Sequence, residues 1–346
     1  MNTRIYNTQN ENELKKGVAD AAKTLREGGL VIFPTETVYG IGGDATNDSA
    51  ARKIYAAKGR PSDNPLIIHV AKPEDAERYA VTSPAFYRLA ERFMPGPLTV
   101  ILPRRESIPK SVTGGLETVA VRCPSHPVAH AMITVAGVPV AAPSANLSGQ
   151  PSGTTAAHVI KDFSGRVDVI LAGGAADFGL ESTIVKLDGE HLTLLRPGAV
   201  TPEDLRTVLP ELSIADAAVS GELGKNEHPL SPGMKYKHYA PRVPLTLLCG
   251  DEAAVRAFLQ KEAAPGVGFL CYEEEKDNLP AELTLFPVGK KEDLATQAHL
   301  LFAALRAADE TPGLTRLYAH MPKTDGIGLA LYNRAIRAAA HTVLHL

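Results

Sequence analysis

Short apolar runs alternate with amphipathic helical patterns through most of this sequence, and that alternation admits few folds other than layered α/β ones. In ENELKKGVADAAKTLREGG, Leu14, Val18, Ala21, Ala22 and Leu25 fall on one helical stripe that stops at Gly28-Gly29, and the strand-like run LVIF follows at once. DSAARKIYAAKG takes Asp48 as its expected N-cap and leads to PLIIHV, which reads as a buried strand. PAFYRLAERF and HPVAHAMITVAG read as helices, and PLTVIL, TVAVR and VPVAA as strands. Asp188-Gly189 predicts a hairpin between two alternating apolar runs, and Thr201-Pro202-Glu203 opens a helix with a cap followed by proline.

From about residue 211 the periodicity lapses into a turn-rich stretch ending in SPGMKYKHYAP, after which a second alternation begins at PLTLLCG. The expected organisation is a first domain over 1–210, a linker over 211–243 and a small parallel α/β domain over 244–346. Neither G-x-G-x-x-G opening a helix nor G-x-x-x-x-G-K-[ST] occurs in that last part, which argues against a dinucleotide or Walker-type site. With 346 residues and 44% hydrophobic content the chain can bury a sizeable core. No apolar run reaches membrane-spanning length and the start resembles neither a signal nor a transit peptide, so the expectation is a cytoplasmic protein without membrane contact. Cys123, Cys249 and Cys271 are too far apart for a C-x-x-C motif and are expected as free thiols. A net charge of −3 excludes coating nucleic acid by bulk charge and confines any RNA contact to a local basic face.

Polar side chains gather where the expected strands end. FPTETVYGIGGD brings Thr35, Glu36, Thr37 and Tyr39 before glycines that would let a ligand approach the backbone. KGRPSDNPL places Lys58, Arg60 and Asn64 on one loop, and its two cations suit phosphate oxygens. PVAAPSANLSGQPSG offers Ser144, Asn146, Ser148 and Ser152 with glycines, a composition that can wrap an anion in backbone amides. Arg122 ends TVAVR, Ser182 and Thr183 open STIV, and Arg196 ends HLTLLR. Taken singly, each has an ordinary alternative: a hydroxyl turn, a solvated helix end, a surface ion pair. Taken together, they sit where α/β folds bind ligands, and one convergent pocket accounts for all of them.

The segments KGRPSDNPL, PSANLSG, ESTIV, LRPG and SPGMKYKHYAP, in that order, resemble the signatures of YrdC-type threonylcarbamoyl-AMP synthases in their long, two-domain form, and the likeness spans the whole chain. It implies a YrdC-like twisted open α/β sheet with a large concave cavity, followed by a linker and a Rossmann-like domain. It implies that L-threonine, bicarbonate or carbon dioxide, and ATP give threonylcarbamoyl-AMP and pyrophosphate, the first step of N6-threonylcarbamoyladenosine formation in tRNAs reading codons that begin with A. By the same likeness Thr37, His69, Arg122, Ser182 and the backbone at Ala142 form the threonine set. Arg60, Asn64, Thr118, Ser144, Ser152, Arg196 and Tyr239 form the ATP set with Lys58, and Lys58 and Arg60 are the expected catalytic cations. His69 has a core alternative inside LIIHV. Mg²⁺ is expected with ATP, held by phosphate oxygens and water, and no protein metal ligand or organic cofactor is expected. His126 and His130 share a helix face but lack a third ligand for zinc.

SPGMKYKHYAP is expected to fold over the cavity mouth and bring Lys235, Tyr236, His238 or Tyr239 to the nucleotide, shielding a hydrolysable anhydride. The resemblance implies a separate complex that transfers the group to tRNA and leaves direct RNA contact open. One rival is a double-stranded RNA-binding or ribosome-associated protein using Lys53, Lys58, Arg60, Arg104, Arg105 and Lys110 as a basic rim. The related carbamoyl transfer of hydrogenase maturation factors ranks below it, because the cysteine-rich zinc motifs those proteins need are missing here.

Overall fold

The computed structural model describes residues 2–220 and 239–346. Lys235, Tyr236 and His238 of the expected lid therefore lie outside the described residues. Contacts between Cα atoms divide the described chain into two units, one of residues 2–148 and 152–220, the other of residues 149–151 and 239–346.

The first unit begins β1 (Arg4–Asn7), α1 (Glu11–Arg26), β2 (Val31–Phe33), β3 (Gly40–Asp44), α2 (Asp48–Lys58) and β4 (Ile67–His69). It continues through α3 (Pro84–Phe93), β5 (Leu98–Pro103), β6 (Thr118–Arg122), α4 (Pro127–Ala136), β7 (Val140–Ala142), α5 (Ala156–Phe163) and β8 (Val169–Ala172). It closes with β9 (Thr183–Asp188), β10 (His191–Arg196), α6 (Pro202–Arg206), β11 (Leu212–Ile214) and α7 (Asp216–Ser220). Among the described residues its eleven strands form one sheet in the order β1-β8-β2-β3-β7-β4-β6-β5-β9-β10-β11. The sheet is mixed: β4 runs parallel to β6, while β5 and β7 run antiparallel to their neighbours β6 and β4.

Local sequence explains most of these elements. Asn10 caps α1 by accepting from the amides of Asn12 and Glu13, and the buried stripe Val18, Ala21, Ala22, Leu25 packs with Val128, Met132 and Ile133 of α4 over Val31, Phe33, Val140 and Leu171. α2 is capped by Asn47, whose side chain accepts from Ser49 and Ala50, so Asp48 is the first helical residue and not the cap expected for it. Gly59 ends α2 in the left-handed region at φ 63° and turns the chain into the KGRPSDNPL loop. The hairpin at Asp188-Gly189 and the capping box at Thr201 form as expected.

Two expectations need correction. The glycines of GIGGD lie within β3, where an added Cβ at Gly40 or Gly42 would meet the Phe33 ring at 3.0 or 2.8 Å; they make room for a core aromatic ring instead of a ligand. The first unit's sheet also runs past residue 210, because Leu212–Ile214 pairs with β10 as an edge strand within the stretch expected to be linker.

The second unit comprises β12 (Leu245–Cys249), α8 (Glu252–Glu262), β13 (Val267–Cys271), β14 (Thr284–Pro287), α9 (Leu294–Glu310), β15 (Arg316–His320), α10 (Gly328–Ala338) and β16 (Val343–His345). Its strands lie in the order β14-β13-β15-β12-β16, every pair parallel, as the alternation of strand and helix predicts. The α/β class expected for both parts therefore holds, and no helix among the described residues is long and apolar enough to cross a membrane.

A buried polar row as the candidate active site

Strand pairing brings the sequence-predicted residues together. His69 of β4 is the register partner of Val140 of β7 on one side and of Arg122 of β6 on the other; Arg122 pairs with Thr99 of β5, and Thr99 with Ile184 of β9. Cross-strand partners project to the same face, so His69, Arg122 and Thr99 form one lateral polar row. All three are buried, as are Thr37 and Ser182. Thr99 Oγ1 lies 2.8 Å from Ser182 Oγ, which joins the start of β9 to the row. Ala142 ends β7 beside Ile67 of β4.

Buried polar groups need partners, and most of these have them. Arg122 Nη2 donates to Glu36 Oε1 at 2.7 Å, with both side chains almost wholly buried. Burial pushes the Glu36 carboxyl up, but the Arg122 guanidinium, helped by the backbone amides of Glu36 and Ser125, holds it below its ordinary value. Burial, reinforced by Arg122, drives His69 down to about 3, so its imidazole is neutral at physiological pH. His69 Nδ1 lies 3.1 Å from the Ile67 carbonyl and its ring meets Phe33 edge-on at 6.1 Å. Thr35 and Thr37 hydroxyls are 2.9 Å apart, and Thr35 Oγ1 also donates to the Val38 carbonyl.

The nucleotide candidates are tied into the same scaffold. Arg196 donates from Nε to the Ser182 carbonyl at 3.1 Å and from Nη2 to Ser182 Oγ at 3.2 Å. Ser152 Oγ donates to Glu181 Oε1, the residue that precedes Ser182 in the chain. Ser144 donates to Asn146 Oδ1 at 2.6 Å. Lys58, expected as a phosphate-contacting cation, is only 3% exposed, and its Nζ donates to the carbonyls of Ser144 and Asn146, the latter at 2.6 Å. A lysine in that position pins the PSAN loop to the end of α2.

Arg60 Nη2 donates to the carbonyls of Asn64 and Pro65, curling the loop on itself, while Asn64 Oδ1 is buried with no hydrogen-bond partner among the described residues. Thr118 opens β6 opposite Pro103, about 13 Å of strand away from Arg122. Tyr239 belongs to the second unit, where its ring lies 5.1 Å from that of Phe302.

Sequence reasoning named Glu36 without giving it a role and did not single out Thr99 or Glu181. Thr99 carried a signal, a hydroxyl inside the otherwise apolar run LTVIL; Glu36 and Glu181 stood in quoted segments but acquire meaning only through partners 86 and 29 residues away. Residues of the expected basic rim are engaged locally. Lys58 is buried, Lys53 donates to the Gly28 carbonyl, Arg105 to that of Ala80, and Arg104 and Lys110 both pair with Glu117.

Similarity to known proteins points the same way. The Sua5/YciO/YrdC family model, described as "Telomere recombination", matches residues 23–198, and a model described as "Threonylcarbamoyl-AMP synthase, C-terminal domain" matches residues 200–340. A Bacillus subtilis protein named threonylcarbamoyl-AMP synthase is 44% identical over 94% of each chain, and a Pyrococcus abyssi protein of the same name is 40% identical over 94% of each. The crystal structure of P. abyssi Sua5 with L-threonine superposes with a TM-score of 0.90 at 38% identity, covering 100% of both chains.

Proposed function

Because the chain belongs to the Sua5/YciO/YrdC family and carries the C-terminal domain of its threonylcarbamoyl-AMP synthases, we propose that it makes L-threonylcarbamoyl-AMP from L-threonine, bicarbonate and ATP, with release of pyrophosphate. That synthesis is the first step of N6-threonylcarbamoyladenosine formation in tRNA. The observation that carries the reading is the buried row of Arg122, His69 and Thr99, joined to Ser182 and built into a chain similar over its whole length to proteins of that name.

The threonine carboxylate is bound by Arg122, whose planar fork suits a carboxylate. Thr37, Ser182 and the backbone at Ala142 bind the remaining polar groups, and neutral His69, with Nδ1 donating to the Ile67 carbonyl, offers Nε2 as an acceptor without competing charge. Threonine's nitrogen first becomes a carbamate. A carbamate oxygen then attacks the α-phosphorus, the α–β phosphoanhydride bond breaks, and pyrophosphate carries away the electron pair. No protein nucleophile is required, so the chain contributes alignment and charge.

A magnesium ion accompanying ATP would be held by phosphate oxygens and water and would offset the triphosphate charge. Lys58, Arg60, Asn64, Thr118, Ser144, Ser152 and Arg196 are the nucleotide set of the first unit. Within it Lys58 acts through the loop it holds, since its ammonium group already engages the carbonyls of Ser144 and Asn146.

The test is pyrophosphate release by the purified chain with threonine and bicarbonate each omitted in turn. Release that requires both supports the synthase. Release indifferent to threonine overturns it.

A further inference from the structure

Glu36 is 2% exposed, yet only one of its carboxylate oxygens is used. Oε1 accepts from Arg122 Nη2, while Oε2 is buried and makes no hydrogen bond of ordinary length and angle among the described residues, although the backbone amides of Glu36 and Ser125 help stabilise the carboxylate charge. Leaving a buried charged oxygen unsatisfied costs free energy, and a carboxylate serving only as counterion would regain it by taking both arms of the guanidinium. The guanidinium is also underused: Arg122 spends Nε on a 3.4 Å contact to the Gly96 carbonyl and Nη2 on Glu36, and Nη1 has no hydrogen-bond partner among the described residues. The buried pair thus keeps one acceptor on the acid and one donor on the base in hand. Glu181, the neighbouring buried carboxylate, differs in already receiving Ser152.

An amino acid carries the complement of that pair, a carboxylate and an ammonium group on a single carbon. We propose that Glu36 determines the site's specificity: its Oε2 receives the substrate's α-ammonium group while Arg122 receives the carboxylate. The pair then recognises a free amino acid and discriminates against acids that lack the amine. The inference rests on the reading that this site binds L-threonine. It also gives the nitrogen's proton a destination. Ammonium, bicarbonate and the Glu36 carboxylate become carbamate, water and the Glu36 carboxyl; the N–C bond forms, a bicarbonate C–O bond breaks, and one ammonium proton goes to the departing hydroxide and one to Oε2.

The full-length chain and its Glu36→Gln and Glu36→Asp variants are titrated calorimetrically with L-threonine and with 2,3-dihydroxybutanoate, the analogue with hydroxyl in place of amine. ATP titration serves as the control for an intact fold. Wild type is expected to favour threonine over the analogue by about 10- to 100-fold, the ratio set by one charge-assisted hydrogen bond. Glu36→Gln is expected to lose that preference by weakening threonine alone, and its turnover at saturating threonine is expected to fall about 100-fold or more, the low end of the contribution of a positioned base. Equal weakening of both ligands would show that Glu36 merely orients Arg122, and would overturn the proposal. So would a wild type that binds threonine and the analogue equally, a result readable even if Glu36→Gln does not fold. Wild type binding the analogue and not threonine would overturn the threonine reading itself.

Discussion

Replacing Arg122 with methionine tests the electrostatic centre of the site. The substitution keeps most of the buried volume but strands the Glu36 carboxylate, whose Oε1 has its hydrogen bond from Arg122 Nη2 at 2.7 Å. With charge centres about 4 Å apart and an effective dielectric near 20, the lost attraction is about 4 kcal/mol, in line with the ~3–5 kcal/mol typical of breaking a buried pair. Urea denaturation at pH 7 should show Arg122→Met destabilised by about that amount. Adding Glu36→Gln should recover part of it, because no bare charge then remains buried.

The pH dependence has a definite sign. In the wild type Glu36 is held below its ordinary value, so its contribution to stability is present above the unfolded-state pKa and is lost as pH falls. Without Arg122, burial dominates and the folded-state pKa rises, so the penalty is greatest at neutral pH and fades toward about pH 4. A variant within about 0.5 kcal/mol of wild type at pH 7, or a deficit independent of pH, would refute the assignment of this pair as a buried, mutually dependent charge centre.

Three other outcomes are expected. Lys58→Met removes the ammonium donor from the buried Ser144 and Asn146 carbonyls, so stability should fall by about 1–3 kcal/mol and the apparent KM for ATP should rise in the pyrophosphate assay. His69, depressed to about 3, disfavours protonation in the folded state, so wild-type stability should fall by up to about 1.4 kcal/mol per pH unit below about pH 6.5; denaturation of His69→Gln should lack that component of the slope. A Cβ at Gly198 would lie 2.4 Å from the Thr183 backbone nitrogen, so Gly198→Ala should shift the start of β9, cost about 1–3 kcal/mol and weaken threonine binding in calorimetry through displaced Ser182.

What the sequence disclosed and what it withheld follow the range of the interactions. α1, α3, the Asp188-Gly189 hairpin and the parallel second sheet were legible because caps, periodicity and turn chemistry act within a few residues. β1 and β8 were not singled out, since RIYN is exposed or partly exposed and becomes a strand by pairing with residues 169–172 far along the chain. GIGGD read as a ligand-facing turn because the Phe33 ring that fills its missing side chains is brought there by the β2–β3 pairing. Polar residues at strand ends marked the neighbourhood of the site, and strand register then set His69 beside Arg122 and Arg122 beside Thr99. Lys58 stood out as a cation on a proline-punctuated loop, but its capture by the Ser144 and Asn146 carbonyls spans more than 80 residues and left no local trace.

The most direct test of the central claim is mass spectrometry of the product made from ATP, L-threonine and ¹³C-labelled bicarbonate. The account predicts a threonine-containing AMP adduct that carries the single ¹³C and appears in step with pyrophosphate. An AMP adduct without the label, or pyrophosphate formed with no adduct, would contradict it.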